Sequence, residues 1–512
     1  MPDAKPEKLP RALYTCEQTR ELDSLAISQA EIPGIVLMKR AGRSAFEQLL
    51  NKWPSVTYIA VFCGAGNNGG DGYILAGLAA QKYIAVDLYS TVDPSTLNGD
   101  AQKAKDFALA QGIEIQTLGG IDDIEGAEGS DGITLPDCPG VVIVDGLLGT
   151  GFRGELKASL STVTKAINAS GLPVLALDLP SGLDGDSGAA DPNAVNADLT
   201  TTFVGVKQGL LTGKGPALCG ELSYDNLGIP ESIFAQLPAT TQRISEVTSF
   251  VNRQADAHKT DFGHVLVIGG VLGMGGAVML AAEAALRSGA GLVTVATRPD
   301  HVPAVLARLP EVMVKGLESG VELEPLITRA DVIVVGPGLG QTSWSQQLAY
   351  FALQSDLPKV VDADALNLLA SEDWGDLDLS NCVMTPHPGE AARLLSCSTS
   401  EIQANRFDAL ARIQEKYQSV ALLKGAGTLI NDGQQTWLAN VGNPGMAVAG
   451  MGDVLSGVVG ALIAQGQRLS EATVNAVCAH GLAGDLAAQD GVVGLKATDV
   501  MPHLRRVLNG SN

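Results

Sequence analysis

Apolar residues in this chain gather in short unbroken runs of strand length. In the first half they fall at 58–62, 84–89, 141–145, 174–178 and 201–204. Between most of these runs the apolar positions recur three or four residues apart, near 74–82, 101–111 and 156–169, the spacing of an amphipathic helix. Strands that are apolar on both faces and separated by helices predict a parallel, Rossmann-like sheet with right-handed crossovers. Ahead of the first strand, Thr15 and Gln18 fit a capping box and predict a helix that Pro33-Gly34 interrupts; a second helix is predicted over 35–50.

From about 230 to 251 the pattern weakens into polar, proline-containing sequence, and a new alternating series follows. Its strands are predicted at 264–268, 292–296, 332–335, 359–362, 382–385 and 420–424, flanked by a helix over 275–288 and another after Gly450. The expected organisation is two α/β domains, 1–238 and 239–512, without a short-period repeat and without visible duplication. That division suits a length of 512 residues, too long for a single ordinary core. The acidic, glycine-rich stretch 119–132 reads as a surface loop.

Charge and cysteine usage narrow the function classes. With 56 acidic against 34 basic residues the formal charge is −22, which argues against a nucleic-acid or anionic-membrane partner. Anionic ligands would have to be held by local backbone N–H groups and helix N-termini. The seven cysteines, Cys16, Cys63, Cys138, Cys219, Cys382, Cys397 and Cys478, form no CxxC pair and read as reduced thiols. The six histidines show no paired metal spacing. With no apolar leader and no membrane-length apolar run, a cytoplasmic protein is expected.

Candidate chemistry sits where strands end. Strand 58–62 runs into Gly64-Ala-Gly-Asn-Asn-Gly-Gly-Asp-Gly72 and then a helix. Glycines at such a turn let backbone N–H groups approach an anion. Asn67 and Asn68 offer amides, and Asp71 could hold a ribose hydroxyl or cap the helix. An N-capped tight turn is the plain structural alternative, and the length of the motif weighs against it. Two more strands end in acidic residues followed by glycine loops, Asp145-Gly-Leu-Leu-Gly-Thr-Gly-Phe-Arg153 and Asp178-Leu-Pro-Ser181-Gly-Leu-Asp184. In an open sheet these ends share one crevice, bringing Asn68, Asp145, Asp178 and Ser181 to one rim. Oxygen donors with only two charges suit a hard, monovalent cation. Asp178 is also a candidate general base.

These three ordered strings resemble the NAD(P)H-hydrate epimerase domain over about 220 residues. The resemblance implies a potassium ion (K+) held partly by Asn68, Asp145 and Ser181. It implies substrate contacts from Asn67, Asn68, Gly69, Gly70 and Asp71, and from Gly149, Thr150, Gly151, Phe152, Arg153, Gly154 and Glu155. Asp178 would handle the proton while the hydroxyl-bearing carbon passes through a planar species.

The second half has its own strand-end turns at Gly269-Gly270, Gly289-Ala-Gly291 and Gly336-Pro-Gly-Leu-Gly340, and a histidine between prolines at Thr385-Pro-His387-Pro-Gly-Glu390. Lys424-Gly-Ala-Gly-Thr428 follows a strand and suits nucleotide phosphates. The strongest string is Gly442-Asn-Pro-Gly-Met446 with Ala449-Gly-Met-Gly-Asp453-Val-Leu-Ser-Gly457. A glycine-rich turn opening a helix presents N–H groups to a transferring phosphoryl group, and a nearby carboxylate accepts the hydroxyl proton. This is the anion-hole arrangement of ribokinase-like enzymes; a structural reading would make Asp453 a helix cap.

Across about 260 residues these strings resemble the nucleotide-dependent NAD(P)H-hydrate dehydratase. Nearly the whole chain therefore resembles the bifunctional NAD(P)H-hydrate repair enzymes. The resemblance implies that ADP phosphorylates the ring hydroxyl of the S-hydrate, after which phosphate leaves and NAD(P)H is restored. Lys424, Gly425, Ala426, Gly427, Thr428 and Gly452 map to the nucleotide. Ala277, Gly338, His387 and Asp453 map to the hydrate, with Asp453 as the base and Mg2+ expected with the nucleotide. Expected partners are NADH hydrate, NADPH hydrate and ADP, and a homo-oligomer is expected. The competing reading is an ATP-dependent small-molecule kinase of ribokinase-like type fused to a non-catalytic ligand-binding module.

Overall fold

The computed structural model of the chain describes residues 9–118, 138–249 and 252–510; the stretch 119–132 lies outside the described residues. The chain divides into two compact units, Met1–Thr241 and Gln242–Asn512. The division falls after Thr241 rather than after 238, within the segment of weak pattern.

In the first unit the strands lie in the order Ile115–Thr117, Ala85–Ser90, Tyr58–Cys63, Val141–Gly146, Val174–Leu177, Leu199–Phe203 and Glu221–Asp225. Every neighbouring pair is parallel. Strand side chains alternate between faces. Ile59, Val61, Val142 and Val144 enter one hydrophobic cluster, while Ala60, Phe62 and Ile143 enter the other with Val163 and Ile167. The chain leaves Tyr58–Cys63 toward one side of the sheet and returns to Val141–Gly146 on its other flank, so the loops after these two strands part. Such a switch in strand order opens a crevice at the carboxyl edge.

Thr15 caps the helix Cys16–Ser28, accepting from Gln18 N at 3.1 Å while Gln18 Oε1 accepts from Thr15 N at 3.0 Å. The helix after the first strand spans Asn67–Gln81, not 74–82. Its glycines hide it from a propensity argument, but packing demands them: a Cβ on Gly69 would stand 2.1 Å from the Gly64 carbonyl oxygen, and one on Gly72 2.8 Å from Cys63 Sγ. The edge strands Ile115–Thr117 and Glu221–Asp225 were not anticipated. Neither contains a buried residue, so they lack the apolar run that marks an interior strand.

The second unit repeats this winding. Its strands run Met313–Gly316, Leu292–Thr297, His264–Ile268, Val332–Val335, Lys359–Val361, Cys382–Met384 and Val420–Leu423, all parallel. An unanticipated antiparallel hairpin follows, Thr428–Asn431 with Thr436–Ala439. Val265, Val267 and Val334 face one cluster and Leu266, Ile268 and Ile333 the other. The helix Met451–Ala464 lies against Gly275–Arg287 at a separation set by glycine: a Cβ on Gly457 would be 2.1 Å from the Ala281 carbonyl oxygen.

Among the described residues no helix is long and apolar enough to cross a membrane, and all seven cysteines are unpaired. Gly457→Ala would stabilise an exposed helix by about 1 kcal/mol. Here the methyl group meets backbone, so a net loss of about 1–3 kcal/mol is expected. Urea unfolding checks this, and a variant more stable than the parent contradicts the close helix contact.

Candidate functional sites

In the first unit the two diverging loops are in backbone contact, Gly64 N donating to Gly146 O at 3.0 Å. A cleft of about 860 Å³ opens above them. Asn67, Asn68 and Asp71 line it from the helix Asn67–Gln81, 149–153 and Glu155 from the loop beyond Val141–Gly146, and Asp178 from the next strand end. Three expected contacts do not line it: Gly69, Gly70 and Gly154. A Cβ on Gly70 would be 2.5 Å from Met38 Cε, and Gly154 turns the loop at φ +77°. Asp71 is inside the helix rather than its cap; the N-cap is Gly66, with no side-chain bond. Arg153 is already paired with Asp186 and, at 3.5 Å, with Asp184.

Asp145 and Ser181 lie just below the cleft, fully buried. Asp145 Oδ1 accepts from Ser181 Oγ at 2.6 Å and Leu147 N at 3.2 Å, and its Oδ2 accepts from Ser181 N at 2.8 Å. Burial pushes the Asp145 carboxyl up to about 6 against the pull of these donors. Leu148 N donates to Ser181 Oγ at 2.9 Å, and Asn68 Nδ2 donates to Leu148 O at 2.7 Å. Asn68 Oδ1 is buried with no hydrogen-bond partner. An acceptor in that state costs about 1–3 kcal/mol, which a cation in the same oxygen cradle removes.

Asp178 adopts φ +63°, a left-handed conformation that aspartate tolerates better than most side chains. Its Oδ1 accepts from Thr202 Oγ1 at 3.1 Å, Phe203 N at 3.1 Å and the Lys207 ammonium. Lys207, 1% exposed, also donates to Phe203 O at 2.8 Å. Neither Lys207 nor Asp23 was anticipated; the available signal was a lone lysine closing the apolar run Phe203-Val-Gly-Val-Lys207. Both line the cleft. Burial pushes Asp23 up to about 6 and Asp71 well above the carboxylate range, with Asp178 adding to both and Lys207 opposing. Three carboxyl groups thus share one buried ammonium.

In the second unit the helix Met451–Ala464 opens at Gly450, φ +90°, with no side-chain cap. Asp453 sits in its first turn, half-buried, and is not the cap. Among the described residues its carboxylate takes no hydrogen bond. Burial, reinforced by Asp362, pushes it up to about 7, while Lys424 pulls the other way. Lys424 Nζ donates to Asp362 Oδ1 at 2.8 Å. A Cβ on Gly452 would stand 3.1 Å from that ammonium, so the lysine tip lies against the helix start. Asp362 was read only as a strand end, yet it is the hub of this edge.

Ala277 and Gly338 are neighbours: a Cβ on Gly338, φ +54°, would be 3.0 Å from Ala277 Cβ. His387 caps the helix Pro388–Leu395 through Nδ1, which accepts from Gly389 N at 2.9 Å, and its half-exposed ring reaches Glu390 Oε1 at 3.3 Å. Pro386 O, beside it, accepts from Lys424 N at 2.9 Å. The Lys424, Gly425, Ala426, Gly427 and Thr428 turn rests on the buried Arg406, whose guanidinium donates to Leu423 O and Lys424 O at 3.3 Å and Gly427 O at 3.4 Å. Thr428 begins the hairpin and donates to Gly425 O at 3.1 Å.

A cleft at the switched edge of the first sheet and a carboxylate–lysine cluster at that of the second define a tandem α/β enzyme of the nucleotide-handling kind, its second half ribokinase-like. Residues 34–209 match the family described as YjeF-related protein N-terminus, and 265–506 the family described as NAD(P)H-hydrate dehydratase. The chain is 47% identical over 510 residues to the bifunctional NAD(P)H-hydrate repair enzyme Nnr of Coxiella burnetii, covering 97% of this chain and 99% of the relative. It is 39% identical to the Escherichia coli enzyme of the same name, covering 98% and 95%. A ribokinase-like superfamily protein from Enterococcus faecalis aligns with 53% of this chain and 96% of its own at TM-score 0.50 and 32% identity. The chain belongs to the bifunctional NAD(P)H-hydrate repair enzymes, an epimerase half followed by a dehydratase half.

Removing one partner of a buried ion pair leaves the other charge stranded, at about 3–5 kcal/mol. Lys207→Met is therefore expected to lower the stability of the first unit by about that much, read by urea unfolding. A loss below about 1 kcal/mol would mean that the pair is solvated.

Proposed function

We propose that Asp178 carries the proton chemistry of the epimerase half and Asp453 that of the dehydratase half, with ADP as the phosphoryl donor. In the first half the hydrated nicotinamide ring enters the 860 Å³ cleft, its hydroxyl-bearing carbon toward Asp178. Interconverting R- and S-hydrates takes that carbon through a planar state, and Asp178 takes up and returns a proton as it does so. Lys207 keeps the carboxylate in place. Asn68, Asp145 and Ser181 fit K+: all are oxygen donors, and the unpaired Asn68 Oδ1 points to a missing partner. When bound, K+ would supply positive charge beneath the anionic part of the substrate.

In the second half the observation that carries the reading is Asp453: a half-buried carboxylate, taking no hydrogen bond, one turn into a glycine-opened helix and beside the Lys424 ammonium. Asp453 removes the proton from the ring hydroxyl of the S-hydrate. The freed oxygen takes the β-phosphoryl group of ADP and AMP departs. Backbone N–H groups at Gly450–Gly452 and the lysine hold the transferring group. The ring nitrogen then drives out phosphate, the neighbouring carbon gives up a proton, and NAD(P)H results. Phosphorylation turns hydroxide, a poor leaving group, into a good one. Mg2+ would be carried mostly by phosphate oxygens and water, since no group of three His, Cys, Asp or Glu side chains among the described residues stands ready to cage it.

Asp178→Asn, which keeps the left-handed backbone, is expected to block consumption of the R-hydrate and spare the S-hydrate. Asp453→Ala is expected to do the reverse, abolishing dehydration and sparing epimerisation. Nicotinamide absorbance with a racemic hydrate and ADP reads both; complete consumption by the Asp178 variant, or dehydration near the parent rate by the Asp453 variant, contradicts the respective role. A base pushed up to about 7 works only when deprotonated, so dehydration should fall about tenfold per unit below that pH. A rate that is flat from pH 8 to about 5 excludes Asp453 as the base.

A further inference from the structure

Asp362 is fully buried at the end of the strand Lys359–Val361 and takes three charged or hydroxyl donors. Thr385 Oγ1 and Lys424 Nζ each reach Oδ1 at 2.8 Å, and Ser456 Oγ reaches Oδ2 at 2.7 Å. These donors come from the next two strand ends and from the helix that carries Asp453. Burial works against its charge, but Lys424 and the hydroxyls win and hold the carboxyl below its usual range. At the N-cap position of its own helix, Ala363–Ser371, Asp362 makes no side-chain capping bond. Its backbone carbonyl serves the helix locally, accepting from Ala365 N at 3.0 Å, but the bonds of its carboxylate all run across the sheet edge, to Thr385, to the lysine and to the helix Met451–Ala464.

We infer that Asp362 is a positioning residue of the dehydratase half, clamping the Lys424 ammonium against Gly452 and placing a permanent negative charge beside Asp453. This rests on the reading of Asp453 as the base. Through Ser456, one turn beyond Asp453, the same carboxylate ties the helix start to the sheet, so lysine, base and phosphoryl-binding turn share one anchor. The two charges act on Asp453 in opposite senses: Asp362 makes it more basic and Lys424 less so. The other charged groups that reach Asp453 are Asp364 on the helix Ala363–Ser371 and Glu390 on Pro388–Leu395. His480, from Leu469–Ala487, faces Lys424 and is held down to about 4 by burial, so it stays neutral through the working range.

The test is the pH dependence of dehydration in the full-length protein, with urea unfolding of the second unit as the check on folding. Asp362→Asn keeps the shape and removes the charge, so the acid limb should move down by about one pH unit. The KM for ADP should rise about tenfold as the lysine is released. Lys424→Gln removes the opposite charge and should move the limb up. The titration of ADP itself is common to all three proteins and does not alter the comparison. Glu390, pushed up to about 7, titrates in the same range, so the pair is repeated with Glu390→Gln present, where both displacements should persist. Limbs that coincide with the parent in both variants, or that move in the same direction, overturn the inference. Asp453→Ala separates the two levels: if it retains dehydration, the assignment of the base is wrong. If it is inactive and the limbs still coincide, only the role of Asp362 is wrong.

Discussion

A carboxylate at the end of a buried parallel strand has lost its water and must be met by donors fixed in the protein. Asp145, Asp178 and Asp362 each face this demand, and the answers differ. Asp145 is met by a hydroxyl and two backbone N–H groups. Asp178 is met by a buried ammonium together with a hydroxyl and an N–H. Asp362 is met by an ammonium and two hydroxyls. Each answer draws neighbouring strand ends together, and the loops that follow those ends form the two sites.

The same demand explains how so acidic a chain handles anionic dinucleotides. A net charge of −22 gives no long-range attraction. Lys207 is buried and Lys424 partly buried at the sheet edges, where a partly dry surrounding strengthens their fields. The rest of the positive potential comes from glycine-opened helix starts at Asn67 and Met451. Anion binding is thus separated from surface charge.

Much of this was legible in the sequence, because interior strands of a doubly wound sheet are continuous apolar runs and their ends carry the chemistry. The runs at 264–268 and 332–335 coincide with strands to the residue. What escaped was of two kinds. Edge strands such as Glu221–Asp225 and Met313–Gly316 are solvated on at least one face and carry no apolar signature, and the hairpin after Thr428 reverses direction where the pattern suggested only a loop. The second kind is partnership: Asp362, Lys207 and Asp23 read singly as a strand end, a stray lysine and a helix surface residue. Their roles come from side chains far along the chain, such as Ser456 with Asp362, and a local pattern does not encode which distant strand ends become neighbours. Gly69 and Gly70 show a demand that the motif alone does not reveal: close approach there also involves the protein's own backbone and Met38.

The left-handed backbone at Asp178 has a consequence for heredity. Few residues accept that torsion without strain; asparagine and glycine do so readily. Both are a single base change away from either aspartate codon. A gene can therefore lose this carboxylate in one step while the loop that held it keeps its path, and what changes is the partner left to the Lys207 ammonium beneath it.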